Sequence, residues 1–347
     1  MTRLAQLRRL TARDGFWPLA VLVLLLVYNL IFNLQFFEIS IKDGHLYGNL
    51  IDVLNRGSEL MIVAMGLTLV IATRGIDISV GAVFAISGAV AAALIGGQLV
   101  MSGGGTEDVT QYPLIVVIPC ALAVATLCGM WNGTLVSWFG LQPIVATLIL
   151  LGSGRGVAQL ITDGQIITIY YSPYYVLGNG FLLGLPVPLF IAAAVAAALM
   201  LLTRKTALGL FIEAIGINPV ASRLAGIRAR GITLACYAVC GLCAGIAGLI
   251  ESSYIKSADG NNAGLLIELD AILAVVFGGT SLAGGRFSLR GSILGALILQ
   301  TLTHTIYSIG VPPQITLFVK GVVVLAVSIL QSERIRSLFH GVQRQAR

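Results

Sequence analysis

Ten apolar runs, each close to the thickness of a bilayer's hydrocarbon core, leave this chain very few folds to choose from. They lie at about 16–34, 50–73, 78–99, 113–132, 143–162, 185–203, 231–251, 267–283, 287–307 and 315–331. A helix needs about 20 mainly apolar residues to cross that core. No water is available there, so backbone N–H and C=O groups must pair within the segment, which selects helices. The expected fold class is an all-α polytopic membrane protein of about ten transmembrane helices. Only 10% of the 347 residues are charged, against about 25% in soluble domains, so a soluble globule is excluded. The first run follows a basic flank and has no small-residue cleavage site, which predicts an uncleaved first span.

Charge then orients the chain, because Lys and Arg resist translocation whereas acids count for little. Arg3, Arg8, Arg9 and Arg13 precede the first span, and Arg334, Arg336, Arg344 and Arg347 follow the last. Arg74, Arg286, Arg290 and the basic loop after the sixth run fall on the same side. Only Lys42 and Lys256 fall in the loops opposite. An even number of spans with this bias predicts both termini in the cytoplasm. The expected organisation is a cytoplasmic segment at 1–15, a transmembrane domain at 16–331 and a cytoplasmic tail at 332–347. The basic residues are spread over several loops, so they form no concentrated nucleic-acid surface. Five Cys, at 120, 128, 236, 240 and 243, all lie in apolar runs without a ligand pair or nearby His, and read as packing residues with no metal.

The central loop, Thr203 to Gly231, is not a plain linker. Phe211, Ile212, Ile215, Ile217, Val220, Leu224 and Ile227 recur at roughly helical spacing. Gly216 and Asn218-Pro219 divide that run, and Pro219 suits the first turn of a second short helix. A small folded element with an apolar stripe is expected on the cytoplasmic face.

Two spans are broken. Ala72 to Gly81 reads ATRGIDISVG, and Val276 to Arg286 reads VFGGTSLAGGR. Irregular backbone at membrane depth is tolerated only inside protein or beside a water cavity. Paired breaks in corresponding halves, here about 50–162 and 231–331, are a pattern of transporters built from repeats. This version requires residues 74–79 and 284–286 on one membrane face. Elsewhere, Pro143 fits a helix start, and Asn132-Gly133-Thr134 matches a glycosylation acceptor on the wrong side. Gly152 to Gly156 lacks the strand and the Lys-Ser/Thr ending of a phosphate loop. Asp270 reads as an N-terminal helix cap, or as part of a polar pathway. Asp52, Arg56, Glu59, Arg155, Asp270 and Lys320 are expected to pair or face a cavity. Glu59 with Lys320 is the one nominal proton relay, and would suit an ion-coupled secondary carrier. No catalytic constellation is present, and none is expected on a transport subunit without an ATPase motif.

Four stretches together resemble the ribose-type ABC sugar permease family. They are Gly75-Ile76-Asp77-Ile78-Ser79-Val80-Gly81; Gln142-Pro143-Ile144-Val145-Ala146-Thr147-Leu148 with Arg155-Gly156; the segment from Glu213 to Ser222 with Ala225-Gly226-Ile227; and Glu268 to Ile272 through Gly278 to Gly285. The chain is similar to galactofuranose-importing members at Asn55-Arg56, at Arg155 to Thr162, at Leu202 to Gly209 and at Asn261-Asn262-Ala263-Gly264. It departs from many members at Arg74, where they have Gly, which places a charge beside the first break. The resemblance implies a monosaccharide permease of the bacterial inner membrane that works with a separate ABC ATPase subunit and a periplasmic sugar-binding protein. A second permease chain, identical or paralogous, is implied as well. No cofactor is then expected on this chain, since ATP and Mg are bound by the partner subunits. Glu213, Ala214, Gly216, Asn218, Pro219, Ala221, Ser222 and Gly226 would make the ATPase-coupling element. Asp77, Ser79, Gln142, Thr147, Arg155, Asn261, Asn262, Asp270, Thr280 and Ser281 would line or gate the pathway.

Overall fold

In a computed structural model the chain is described at residues 16–42, 44–96, 100–102, 105–107, 110–310, 312, 315, 317–322 and 325. The expected cytoplasmic ends at 1–15 and 332–347, and most of the tenth run, lie outside the described residues. Twelve α-helices follow one another among the described residues. They are α1 (Phe16–Phe32), α2 (Asn49–Ala72), α3 (Val80–Ile95), α4 (Leu114–Ser137), α5 (Pro143–Ile161) and α6 (Ser172–Asn179), then α7 (Val187–Lys205), α8 (Leu208–Ile217), α9 (Pro219–Leu224), α10 (Ala229–Tyr254), α11 (Ile267–Phe277) and α12 (Leu289–Ser308). The molecule is therefore mainly helical. Among the described residues, α2, α4, α5, α7 and α10 are long and apolar enough to cross a membrane.

The boundaries depart from the ten-run reading where glycine or proline intervenes. Run 78–99 yields only the 16 residues of α3. Run 267–283 yields an 11-residue half-helix, α11, because Gly278 and Gly279 (φ +84°) turn the backbone out of the helix. Run 113–132 continues to Ser137 as a 24-residue helix, with Pro119 near its start.

Helix α2 is the axis of the bundle. From Gly57 to Ala72 almost every residue is buried, and it packs against α7, α10, α11 and α12. Lipid is as apolar as Leu, so close approach rather than hydrophobicity holds such helices together. The contacts bear this out: a Cβ on Gly129 would overlap Tyr237 O on α10, and one on Gly66 would come within 2.8 Å of Cys243 Cβ. Cys236, Cys240 and Cys243 are buried free thiols in this seam, the packing role expected of them, while Cys120 is exposed. Outward faces of α1, α4, α5 and α7 carry exposed Leu24, Ile115, Leu127, Leu160 and Leu201, as an integral membrane protein requires.

Short strands decorate the connections, which an all-α reading does not anticipate. β1 (Ser40–Lys42) pairs with β2 (His45–Tyr47), β3 (Val100–Ser102) with β4 (Gly105–Glu107), and β6 (Phe181–Leu182) with β7 (Leu185–Pro186). The fourth pair is long-range: β5 (Ile166–Thr168) runs antiparallel to β8 (Ser257–Asp259), with Ile167 opposite Ala258. It ties the connection after α5 to the connection after α10, at one end of the bundle. The breaks and the α8–α9 element lie at the other end.

Candidate functional site

The first break starts where α2 stops. Thr73 N–H and Gly75 N–H both turn back to Val70 O, and Arg74 N–H to Ile71 O. Arg74 has φ +65°, a left-handed conformation that costs a non-glycine residue about 1 kcal/mol. The chain then runs unhelical to Ser79, with Gly75, Asp77 and Ser79 buried. Its polar groups are met by side chains. Asp77 Oδ1 accepts from Ser79 N–H at 3.0 Å and Ser79 Oγ at 2.6 Å. Asn132 Nδ2 donates to Ser79 Oγ at 2.8 Å and reaches Asp77 Oδ1 at 3.4 Å. Thr147 Oγ1 and Tyr237 Oη approach Ile76 O at 3.4 and 3.5 Å. Broken backbone is thereby buried in protein, the condition under which it survives at membrane depth.

The second break spans Gly278 to Ser288 and is held chiefly by backbone. Thr280 N–H returns to Val275 O, and Gly284 N–H to Ser281 O. Ser288 Oγ accepts from Gly291 N–H and caps α12. A Cβ on either Gly278 or Gly291 would overlap the other residue's backbone, so α11 and α12 touch main chain to main chain.

The two breaks and the central loop meet. Gly285 N–H donates to Ala72 O at 2.9 Å. Arg74 Nε donates to Gly216 O at 2.5 Å and its Nη2 to Ile217 O at 2.6 Å. Gly216 is wedged so tightly that a Cβ would overlap both Ala72 O and Gly285 N. Ala72 and Arg74 thus lie side by side with Gly284 and Gly285.

The central loop folds as the two-helix element expected of it. Ile212, Ile215 and Gly216 bury α8 against the bundle. Asn218 Oδ1 accepts from Val220 N–H and Ala221 N–H, both at 3.1 Å, with Pro219 in the first turn of α9. Buried Ser222 donates to Asn218 O, and Gly226 at φ +84° ends the element. The apolar stripe divides in two. Ile212 and Ile215 of α8 are buried, whereas Ile217 at its end and Val220 and Leu224 on α9 are exposed, Leu224 at 86%.

A second polar group lies where α3 begins, just past the first break, around Gly81, Arg155 and Glu268. Arg155 Nη1 donates to Ala263 O, and Asn262 Nδ2 donates to Asp259 Oδ2 at 2.7 Å. Burial raises the Asp259 carboxyl, but hydrogen bonds from the Asn262 side chain and the Asn261 and Asn262 N–H groups, with the Arg155 guanidinium nearby, together outweigh it and hold it below its ordinary value. Arg155 Nη2, Glu251 Oε2 and Glu268 Oε2 are buried without a hydrogen-bond partner among the described residues. Gly81 lies directly against Glu268 Oε2, so any Cβ there would collide with the carboxylate.

With this geometry in view, comparison with known proteins is decisive. Residues 49–328 match the family described as the branched-chain amino acid transport system, permease component. The chain belongs to that family. It is 48% identical to the galactofuranose transporter permease protein YtfT of Escherichia coli K12, over 97% of this chain and 95% of that protein. It is 38% identical to the fructose import permease protein FruF of Bifidobacterium longum, over 97% and 93%. To the ribose import permease protein RbsC of Escherichia coli K12 it is 37% identical, over 82% and 86%.

Within this permease, the residues singled out from sequence separate into distinct places. Asp77, Ser79 and Thr147 converge on the first break. Arg155 lies where α3 begins, beside Gly81 and the Ala263 carbonyl, while Asn261 and Asn262 are exposed on the adjoining turn and Gln142 is exposed at the start of α5. Thr280 is buried and accepts from Ser288 N–H at 3.3 Å, while Ser281 faces outward. Asp270 does not cap its helix, since the cap position of α11 is Leu266 at φ +66°. Asp270 instead pairs with Lys320 at 2.5 Å, so Lys320 is not the partner of Glu59. Tyr237 and Glu251 are not singled out from sequence, Asn132 is read there only as a glycosylation acceptor, and Glu268 only as part of the family resemblance. Asn132 was visible as an amide inside an apolar run, and Glu251 as an acid at a span end.

Proposed function

We propose that the chain is the permease subunit of an ATP-binding cassette importer that carries a monosaccharide inward, with galactofuranose or a related pentose or hexose as cargo. Near-full-length similarity to a permease named for galactofuranose transport carries the cargo assignment. The coupling assignment is supported by the α8–α9 element: one half is locked into the bundle, and the other offers Ile217, Val220 and Leu224 to solvent. An apolar stripe on a short capped helix needs a partner, and a separate ATPase subunit with bound ATP and Mg is that partner. Glu213, Ala214, Gly216, Asn218, Pro219, Ala221, Ser222 and Gly226 form the coupling element in this scheme.

A second permease chain, a copy or a paralogue, completes the pathway, and a periplasmic sugar-binding protein delivers cargo at the end that bears the β-hairpins. The permease sits in the bacterial inner membrane with ten spans and both termini cytoplasmic, as its Arg distribution favours. ATP-driven closure of the ATPase subunits pushes α8–α9, and the breaks reorient the pathway. The ion-coupled carrier reading loses its nominal relay, because Lys320 pairs with Asp270.

Reconstitution in liposomes with the ATPase and binding protein tests the scheme. Galactofuranose uptake is expected only with internal ATP, and Val220→Asp or Leu224→Asp should abolish it. Uptake that persists without ATP, or that follows an ion gradient, would overturn the proposal.

A further inference from the structure

We infer that Arg74 is a latch that makes the α8–α9 element and the two broken segments move as one body. This rests on the ABC-importer reading above and assigns a positioning role to a residue outside its coupling element. Four observations carry it. The guanidinium forks onto the last carbonyls of α8, Gly216 O and Ile217 O, at 2.5 and 2.6 Å. Those carbonyls have no partner within their own helix, and a cation there also meets the negative end of the helix dipole. Its aliphatic stem lies against Gly284, which is at φ +83° and has no room for a Cβ. Its own backbone is held at φ +65°, a conformation that persists in a non-glycine residue only where surroundings over-determine it.

The geometry is that of a three-way pin. Arg74 ends the first break's entry helix, its stem contacts the second break, and its head holds the coupling element. Gly285 N–H to Ala72 O closes the third side. Without the guanidinium, α8 would keep its packing through Ile212 and Ile215 but lose its polar tie to α2. A push on α9 would then be dissipated in slippage at Gly216 instead of reaching the breaks. Lys cannot replace it fully, since one ammonium lacks the planar fork that spans two carbonyls.

The test uses Arg74→Gly, which removes the side chain and relieves the positive φ, so that folding is favoured and not compromised. Two measurements are made. In the reconstituted complex, sugar moved per ATP hydrolysed is expected to fall about tenfold, the scale of losing charge-assisted hydrogen bonds, while ATP hydrolysis changes less than twofold. Arg74→Lys should recover part of the ratio. Separately, spin labels at Ala221→Cys and Ser281→Cys, in a chain carrying Cys120→Ala and Cys128→Ala, the two thiols that are not buried, should give one narrow distance that broadens in Arg74→Gly. An unchanged distance distribution overturns the latch, as does a fall of uptake in proportion to hydrolysis. Should the parent complex import sugar without ATP, the importer reading fails, and the label distances still decide the latch.

Discussion

Both broken segments look alike as sequence, each a glycine-bearing interruption between apolar runs, yet they are held by different forces. The first, Thr73 to Ser79, buries Thr73, Gly75, Asp77 and Ser79 and is stitched by side chains: Asp77, Ser79 and Asn132 bond one another in the interior. The second, Gly278 to Ser288, exposes Gly279 and Ser281 to Ala283 and is fixed by main-chain contact between Gly278 and Gly291. A polar network specifies one geometry because any misplacement leaves buried groups unpaired. A glycine contact specifies distance but little else. The first break is thus fixed, as a fulcrum, by side-chain hydrogen bonds and the second by a close glycine contact, and the two are joined where Gly285 N–H meets Ala72 O.

The largest effect is expected at the glycine contact. Gly278→Ala and Gly291→Ala each drive a methyl into facing backbone, which cannot yield as a flexible side chain can, and should destabilise by about 3 kcal/mol. Thermal unfolding of the purified permease in detergent measures it; a loss below that of the network variants would show that the helices can part without harm. Next comes the fulcrum. Asn132→Leu leaves Ser79 and Asp77 with one donor fewer and should destabilise by about 1–3 kcal/mol. Asp77→Ala should behave alike, and the double variant should cost less than the sum, since both act on one network.

Asp270 and Lys320 give a smaller effect, because the pair retains 30% and 13% side-chain exposure. Solvent screening limits it to about 1 kcal/mol. Asp270→Asn and Lys320→Met should each destabilise by that order, and a double-mutant cycle should recover the coupling between them. The smallest effect lies outside both breaks, in the Asp259 turn. Its folded carboxyl is held below the ordinary value, chiefly against burial by the Asn262 hydrogen bond. The turn's extra stability is therefore full above about pH 4, the unfolded carboxyl value, and is lost as pH falls through the lower folded value. Amide exchange at Asn261 and Asn262 should accelerate there, and Asp259→Asn should remove the pH dependence. Exchange equally pH-sensitive at Ser79 would show that the fulcrum is not the more rigid region.

Much of the site was legible locally. Asn218-Pro219 announces a cap and a first turn, and both appear because the two groups involved are neighbours in sequence. The paired Gly runs announced breaks for the same reason. The role of Arg74 was not legible, although its charge was conspicuous: its acceptors, Gly216 O and Ile217 O, are backbone groups of a remote helix. Nor was the partner of Asp270, since a carboxylate near a helix start reads as a cap until the opposing chain is placed. Asn132 matched a surface glycosylation pattern, and only the packing of α4 beside the first break revealed it as an interior donor.

Sequence alone determined that the chain is helical, apolar, interrupted at two places and furnished with a basic two-helix element, because hydrophobic run length, proline and glycine act over a few residues. The fold decided that α2, α8 and the 278–288 segment meet at one point, that the element's stripe divides into a buried and an exposed half, and which buried charges are paired. Those are relations between segments far apart along the chain. They exist only once the helices approach closely enough for Gly66, Gly129, Gly216 and Gly278 to matter.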